Sequence, residues 1–327
     1  MNRRNFLSLS TAAALLPACG KGGKNPQAAL RLGHFPNITH IQGLVAHQLS
    51  RLGKGWFEPR IGVPVEWFTF NAGPSATEAI LGGGLDAAYL GPSPILNAYA
   101  RSKGTNLRIL AGAATGGRSF VLRGGITIAA AADFRGRKIA TPQLGNTQDV
   151  QLRALLTEAG LKITQAGGDA TILPTQNADL LAMFQQGSLD AAWAPEPYAS
   201  ILELEAGATN WLKDTATNVT LLASSASLLR DRPELAARLA AAHHELTDWI
   251  LANPEEARRL MVAELTALTT REPKAAVLDL AIPRVILSNE VSRQSLETMV
   301  AQAKAAGFLR EFPPIEPLLP SLPPATP

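Results

Sequence analysis

The sequence predicts a two-lobed α/β protein in which each lobe is a doubly wound mixed sheet and the chain crosses between the lobes twice. One observation is a repeat: GGLDAAYLGPSP at 83–94 returns as GSLDAAWAPEP at 187–197, each copy after an amphipathic run. The others are an alternation of strand-like and helix-like runs and a length of 327 residues, which exceeds the usual single core. Ligands sit at the carboxyl ends of strands in such sheets, so two equivalent units predict two lobes around one crevice. A chance similarity of two short Ala-rich segments is the alternative.

The first lobe is predicted to be discontinuous, built from residues 29–114 and 213–311. ALRLGHF is typical of a strand, and the loop FPNITH then leads to a helix from about Ile41 to Leu52. The strand VPVEWFTF precedes the loop NAGPS and a helix that opens near Thr77. The first repeat supplies another strand, and the apolar run from Leu107 continues past a Gly-Gly-Arg to SFVLRG.

The second lobe, residues 115–212, is predicted to mirror this order. RKIATP indicates a strand, QLGNTQ a loop and the run from Asp149 to Ala159 a helix, followed by the strand ATILPT and the second repeat. The strand VTLLASS then returns to lobe one, where helices continue to Gly307. Two crossings predict a hinge that opens and closes without breaking either core. Dense prolines predict that 312–327 is an extended tail.

The N-terminus is predicted to be an export signal, residues 1–18. Arg3 and Arg4 precede an uncharged run from Phe6 to Ala18 that is too short to span a bilayer. RRNFL resembles a twin-arginine signal, and an ordinary secretory signal is the alternative. The single cysteine, Cys19, follows LPA and looks like the acceptor of a bacterial lipoprotein box, although Pro17 departs from the usual pattern. Residues 19–28 would then be a lipidated Cys and a flexible tether at a membrane surface.

Composition argues against nucleic acid as a partner. The formal charge is +3, and removal of Arg3 and Arg4 leaves +1. No basic run with interleaved aromatic residues is present, so nucleic acid is not expected as a partner. A hydrophobic content of 46% is typical of a soluble α/β protein.

The most specific local signal for a ligand is ATPQLGNTQDVQLR, 140–153. A strand ends at a Pro-containing turn and a Gly-Asn-Thr-Gln string opens a helix, so unpaired N–H groups and the positive end of the helix dipole meet there. This pattern favours an anion held by neutral donors. The alternative is that Asn146 or Thr147 merely caps the helix.

The lobe-one loops FPNITH, NAGPS and GPSP offer small residues, stiffening prolines and hydrogen-bonding side chains. Arg118, after two glycines, is the candidate for a full positive charge near the cleft, and a hinge arginine paired with Glu196 or exposed to water is the alternative. Glu196 is interpreted as a hinge residue or ligand contact rather than a general base, because no partner carboxylate, Cys or Ser-His pair stands out by spacing.

The histidine pattern predicts no metal site. His40 and His47 are two helical turns apart and His34 precedes a proline loop, so a three-histidine site is not favoured. His243 and His244 are adjacent on a helix and point apart. No cofactor is expected.

Taken together, GHFPNITH, NAGPS, LDAAYLGPSP, ATPQLGNTQDVQLR and LDAAWAPEPY resemble the substrate-binding lipoproteins of ABC importers in the nitrate, taurine and aliphatic sulfonate family. The resemblance runs from about Ala29 to Leu309 and implies the type II periplasmic-binding-protein fold. It also implies a set of ligand-binding residues in the loops, and His40 and Arg118 join them as candidates: Phe35, Pro36, Asn37, His40, Asn71, Gly73, Pro74, Ser75, Pro92, Ser93, Arg118, Gly145, Asn146, Thr147, Gln148 and Glu196.

The expected function is therefore capture of a small organic anion, sulfonate-like, and delivery to an ABC permease and its ATPase. The protein is expected to be exported, periplasmic or at the cell surface, membrane-anchored through lipid, monomeric and not an enzyme. Two alternatives stay open: an enzyme on the same fold, as in menaquinone or thiamine-pyrimidine biosynthesis, and a ligand-sensing lobe for a signalling partner.

Overall fold

The structure is a computed structural model of the chain that describes residues 28–164, 167–214 and 217–322. The predicted signal peptide, Cys19 and nearly all of the tether lie outside the described residues. Among the helices within those ranges, none combines the length and apolar character needed to cross a membrane.

The described part of the chain alternates strands and helices, as the sequence predicts. The strands are β1 Leu30–His34, β2 Val65–Thr69, β3 Ala87–Leu90, β4 Leu107–Gly116, β5 Arg118–Leu122, β6 Lys138–Thr141, β7 Ile163–Thr164, β8 Gly167–Gly168, β9 Thr171–Pro174, β10 Ala191–Pro195, β11 Thr209–Asp214, β12 Asn218–Ser225 and β13 Val285–Leu287. The α-helices are α1 Ile41–Arg51, α2 Phe57–Ile61, α3 Gly73–Leu81, α4 Pro92–Arg101, α5 Thr147–Glu158, α6 Leu180–Gln185, α7 Tyr198–Ala206, α8 Ala226–Asp231, α9 Pro233–Ala252, α10 Pro254–Thr269, α11 Ala275–Ala281 and α12 Arg293–Ala305.

Two mixed sheets form the framework. The larger has the order β13-β4-β12-β3-β1-β2, and the smaller has the order β11-β5-β10-β6-β9. In both, three parallel strands (β2-β1-β3 and β9-β6-β10) are continued by an antiparallel strand, β12 or β5. The two repeat copies supply β3 and β10, which hold the same position in their sheets, so the predicted equivalence is confirmed.

Each sheet has an apolar core on both of its faces, because successive side chains along a strand point to opposite faces and both sets are apolar. On the larger sheet, Tyr89 and Leu222 pack with α1, α2, α9 and α10, whereas Leu90 and Leu221 pack with α3, α4 and α12. On the smaller sheet, Phe120 and Trp193 stack with ring centroids 5.4 Å apart. Helices on both faces are what a doubly wound sheet requires.

The chain passes from the larger sheet to the smaller between β4 and β5, and returns between β11 and β12. Gly116 and Gly117 make the first crossing with φ of 66° and 67°, a left-handed conformation that favours glycine. A Cβ on Gly117 would also lie 2.6 Å from side-chain carbons of Thr39 and Val285. We propose that lobe one comprises residues 29–114 and 213–311 and lobe two residues 115–212, a division that the two crossings support.

Several boundaries differ from the sequence-based expectations. Helix α3 begins at Gly73 rather than near Thr77, because Pro74 suits a first turn. The apolar run from Leu107 is two strands in two sheets, since the paired glycines redirect the backbone.

The start of the tail, 312–322, also differs from the predicted extended segment. It packs on the larger sheet's helices through a 3-10 turn, Glu316–Leu318, and Leu318 is fully buried. The Tyr99 hydroxyl donates to the Pro314 carbonyl at 2.8 Å. Apolar residues between the prolines therefore dock this segment.

Candidate functional site

The two sheets meet across a cleft that contains a small, partly open cavity of about 30 Å³. The residues that line it come from both lobes and lie largely in loops that follow the carboxyl ends of the parallel strands, as expected for open α/β sheets. They are Phe35, Asn37, Thr39, His40, Asn71, Ala72, Gly73, Gly91, Pro94, Pro142, Asn146, Thr147, Gln148, Asn177, Pro195 and Val219.

The N-terminus of α5 forms the lobe-two side of the cavity. The Asn146 side chain caps the helix by accepting from the Asp149 N–H at 2.9 Å, and the first two residues of the helix, Thr147 and Gln148, line the cavity. Asp149 is fully buried behind this turn and is paired with Arg153 at 3.0 Å. The negative charge of Asp149 is thus balanced by Arg153, and the positive end of the helix dipole faces the cleft.

The loop after β1 forms the lobe-one side. The rings of Phe35 and His40 lie against each other, with centroids 4.2 Å apart. Burial, assisted by His34, lowers the pKa of His40 well below its usual value, so the imidazole is neutral. His40 Nδ1 is buried and has no hydrogen-bond partner among the described residues.

Asn71 and Asn177 connect the lobes at the rim. Asn71 Nδ2 donates to the Pro142 carbonyl at 2.9 Å, and the Asn177 N–H donates to Asn71 Oδ1 at 3.2 Å. Asn177 Oδ1 is buried and has no partner in the described part of the chain. Sequence reasoning missed Asn177, although it follows β9, and the rule that ligands meet the carboxyl ends of parallel strands could have found it.

Direct contacts hold the lobes in a closed arrangement. The Ser93 hydroxyl donates to the Gly145 carbonyl at 3.2 Å, and the Ser93 N–H donates to Thr147 Oγ1 at 3.4 Å. Ser75 and Gln143 also hydrogen-bond across the cleft. Gly91 leaves no room for a Cβ, which would overlap the Thr147 hydroxyl.

The predicted ligand residues fall into three groups. Those that line the cavity are Phe35, Asn37, His40, Asn71, Gly73, Asn146, Thr147 and Gln148. Those outside the lining lie in the adjoining loops or in the first turns of α3 and α4, and they are Pro36, Pro74, Ser75, Pro92, Ser93 and Gly145. Arg118 and Glu196 are buried at the crossing between the lobes rather than at the cavity.

Arg118 and Glu196 do not pair with each other in the way that the sequence suggested as an alternative. The Arg118 guanidinium donates to the Thr217 hydroxyl, beside the second crossing. Glu196 accepts from Arg284 at 2.9 Å and from the Ser200 N–H at 3.1 Å. Burial raises the pKa of Glu196, while Arg284 and Ser200 oppose that rise.

The Glu196 backbone joins both lobes, because its N–H donates to the Gly117 carbonyl and its carbonyl accepts from the Ile38 N–H. This geometry fits the hinge role proposed from the sequence.

A second polar cluster lies outside the cavity, in lobe one. His34 Nε2 and His47 Nδ1 are 2.9 Å apart, and Glu264 Oε1 is 2.8 Å from His47 Nδ1. His40, the third histidine considered in the sequence analysis, lies elsewhere, in the cleft. Glu264 could not be anticipated because more than two hundred residues separate it from His47 along the chain.

The model of the NMT1-like family matches residues 23–266. The chain belongs to the NMT1-like family.

Two proteins that are similar in sequence to this chain are named as binding proteins. One, named only as a binding protein from Brucella abortus (strain 2308), is 27% identical over 274 residues, 78% of this chain and 76% of the relative. The taurine-binding periplasmic protein of Escherichia coli (strain K12) is 30% identical over 147 residues, 45% of this chain and 44% of the relative.

Among solved structures, the alkanesulfonate-binding protein SsuA from Xanthomonas axonopodis pv. citri, bound to MOPS, superimposes with a TM-score of 0.67. It is 21% identical, and the match covers 87% of this chain and 95% of that one. At this identity the likeness shows the fold, and it confirms the predicted two-lobed periplasmic-binding-protein architecture for this NMT1-like chain.

Proposed function

We propose that the protein is an extracytoplasmic solute-binding protein that captures a small organic anion, sulfonate-like, between its two lobes and delivers it to an ABC importer. The observation that carries this proposal is the small cavity between the lobes, which is lined by the first residues of α5 and by neutral polar side chains from both lobes. The relatives named above as binding taurine and alkanesulfonate support the ligand class.

The chemistry of the lining favours binding over catalysis. Of the described residues that line the cavity, His40 is the single titratable one, and its lowered pKa keeps it neutral. An anion would be held by N–H dipoles and hydrogen bonds without a counter-charge, and these strengthen when closure excludes water. A binding role without covalent chemistry therefore fits this arrangement better than acid–base or nucleophilic catalysis.

The size of the cavity restricts what can be enclosed. A cavity of about 30 Å³ is close to the volume of one water molecule, so even a compact head group such as a sulfonate requires the lobes to separate slightly, and a bulky substituent requires them to separate further. Ligand binding would select the closed form because only that form brings donors from both lobes to the same head group.

Calorimetry and thermal unfolding with a ligand panel test the proposal. The panel contains taurine, methanesulfonate, a long-chain alkanesulfonate and nitrate, with choline as a cationic control. We expect one small sulfonate to bind with a dissociation constant in the low micromolar range or tighter, about 8 kcal/mol or more. Absence of a shift with every anion, or a preference for choline, contradicts the proposal.

We also propose that the protein is exported and anchored through Cys19, so that the globular part acts beside a permease and its ATPase. The sequence pattern around Cys19 supports this, because an apolar run ends at the single cysteine and a Gly/Lys segment follows. Labelling of cells with a fatty-acid analogue should acylate the wild type but not Cys19→Ala. Equal recovery of both proteins in the soluble periplasmic fraction would contradict the anchor while leaving the binding proposal intact.

A further inference from the structure

The cluster of His34, His47 and Glu264 brings together three lone-pair-bearing atoms in the interior of lobe one. His34 and Glu264 are fully buried and His47 is 9% exposed. The candidate ligand atoms all lie within 4.8 Å of one another. None of the three residues lines the ligand cavity, so the cluster is independent of the proposed transport function.

One ring nitrogen of the cluster, His47 Nδ1, has two polar neighbours at hydrogen-bond distance. His34 Nε2 and His47 Nδ1 share a hydrogen bond at 2.9 Å, which uses one proton between two nitrogens. Glu264 Oε1 lies 2.8 Å from the same Nδ1, so this nitrogen can serve either the carboxylate or His34, but not both. Either arrangement leaves one buried polar atom of the three without a partner, which is costly, and a cation at the common centre would satisfy all three atoms.

Neighbouring groups orient the rings as they do around protein-bound metals. His34 Nδ1 lies 3.4 Å from the Phe35 carbonyl, so a hydrogen on Nδ1 leaves the Nε2 lone pair directed at the cluster. The Trp67 ring stacks on His47 with centroids 4.9 Å apart and meets the edge of His34 at 5.5 Å. Arg51 Nε holds the other carboxylate oxygen of Glu264 at 2.8 Å.

We propose that His34, His47 and Glu264 form a binding site for a divalent transition-metal ion of the Zn²⁺ class. Two imidazole nitrogens and one carboxylate are a donor set typical of zinc, with a fourth position left to water. Zinc–nitrogen bonds of about 2.0 Å in a tetrahedral site place two nitrogens about 3.3 Å apart, so the present pair needs to separate by a few tenths of an ångström.

The ion would join parts of lobe one that are distant in the sequence. His34 ends β1, His47 lies in α1 and Glu264 lies in α10, which belongs to the second segment of this lobe. Metal binding would therefore stabilise the folded lobe, since the three ligands do not converge in the unfolded chain.

The test uses the untagged protein after chelator treatment, with Zn²⁺ binding followed by calorimetry and by metal analysis. We expect one equivalent per chain in the wild type, an increase in the unfolding temperature with Zn²⁺ but not with Mg²⁺, and binding weakened ~100-fold or more in His47→Gln and Glu264→Gln. His244→Gln, which removes an exposed histidine of α9, is the matched control and should bind as the wild type does.

Co²⁺ spectroscopy on the wild type gives a readout that needs no variant. Visible bands of a four-coordinate Co²⁺ site, abolished by one equivalent of Zn²⁺, support the proposal even if a variant fails to fold. Undetectable binding to the wild type overturns it, and so does equal Zn²⁺ affinity in the wild type and a folded Glu264→Gln. Loss of binding in His244→Gln alone overturns it as well, because the ion would then be an adventitious surface ligand.

Discussion

Thr147 links helix geometry to the ligand cavity at the level of a single residue. It is the first residue of α5, its side chain lines the cavity, and its hydroxyl contacts the Ser93 N–H of the other lobe at 3.4 Å. Because Asn146 caps the helix, the Thr147 hydroxyl is not used as a cap and can accept hydrogen bonds within the cleft.

Replacement of Thr147 by Val removes the hydroxyl and preserves the shape of the side chain. We expect the affinity for the anion to fall about threefold to tenfold, which corresponds to one hydrogen bond, while the unfolding temperature of the free protein stays within about 1 °C. Calorimetry and thermal unfolding measure the two effects. Thr157→Val, at an exposed position of the same helix, is the control and should leave the affinity unchanged.

His243 gives the stability a pH dependence. It is fully buried, with Nε2 2.7 Å from the Gly112 carbonyl and Nδ1 3.0 Å from the Tyr89 hydroxyl. Burial lowers the pKa of His243 to about 4, and the nearby His244 ring also lowers it. The folded protein therefore keeps this imidazole neutral in a range where the unfolded chain, with a pKa near 6.5, is protonated.

The sign of the effect follows from this depressed pKa. The contribution of the neutral His243 to the free energy of unfolding is fully present above pH 6.5. It is lost as the pH falls toward 4, at about 1.4 kcal/mol for each pH unit. Urea unfolding across this range should show a shallower pH dependence in His243→Gln than in the wild type. Identical slopes in the two proteins would show that His243 titrates normally in the folded state.

The two repeat copies fix their sheets through the same aspartate contact. Asp86, before β3, accepts from the Arg31 N–H of β1 at 2.9 Å, and Asp190, before β10, accepts from the Lys138 N–H of β6 at 2.9 Å. Each aspartate also pairs with an arginine side chain, Arg31 or Arg123. The repeated Leu-Asp-Ala-Ala thus connects two neighbouring parallel strands in each sheet.

We expect Asp86→Ala and Asp190→Ala to lower the free energy of unfolding by similar amounts, about 1–3 kcal/mol, because each leaves a strand N–H without its charged acceptor. Urea denaturation measures both. Asp279→Ala removes an exposed ion pair with Arg258 and should cost less than about 1 kcal/mol. A large loss in one repeat variant and none in the other would show that the two contacts are not equivalent.

Whether a segment is a strand or a helix followed from local sequence patterns, whereas the residues at which it begins and ends depended on tertiary contacts. Periodicity and the proline and glycine positions predicted β1, β3, β6, β9, β10 and α5 in the right order. The docked start of the tail was not predicted, because proline density argues for extension while Tyr99 and the neighbouring helices supply the surface that binds Phe312 and Leu318.

Closure of the whole molecule depends on a close approach at Gly91. Its backbone, at the carboxyl end of β3, lies against the Thr147 side chain at the start of α5. Its φ of −70° suits any residue, so the glycine is required by contact and not by backbone conformation.

We predict that Gly91→Ala disfavours the closed form, because the added methyl overlaps the Thr147 hydroxyl; overpacking of this kind costs about 1–3 kcal/mol. Ligand affinity should fall about tenfold, and small-angle scattering with ligand should show a larger radius of gyration than the wild type. If the closed form is not the ligand-binding form, affinity will be unaffected.

A double variant separates this overlap from other effects. Thr147→Ala removes the hydroxyl, so adding Gly91→Ala to it should cost much less affinity than Gly91→Ala costs in the wild type. Gly84→Ala, where a Cβ meets the Ala79 carbonyl at an ordinary 3.5 Å, is the matched control in the same lobe.

The sequence by itself determined the α/β class, the equivalence of the two repeats and the opening of a helix within the Gly-Asn-Thr-Gln string at 145–148. These follow from local periodicity, capping and turn chemistry, which act over a few residues.

The tertiary structure alone decided which side chains meet. It placed Asn177 at the cavity, left Arg118 and Glu196 at the crossing between the lobes and outside the cavity lining, and brought Glu264 to His34 and His47. Such contacts join residues far apart in the chain, and their positions depend on how two sheets and their helices pack, which no local pattern records.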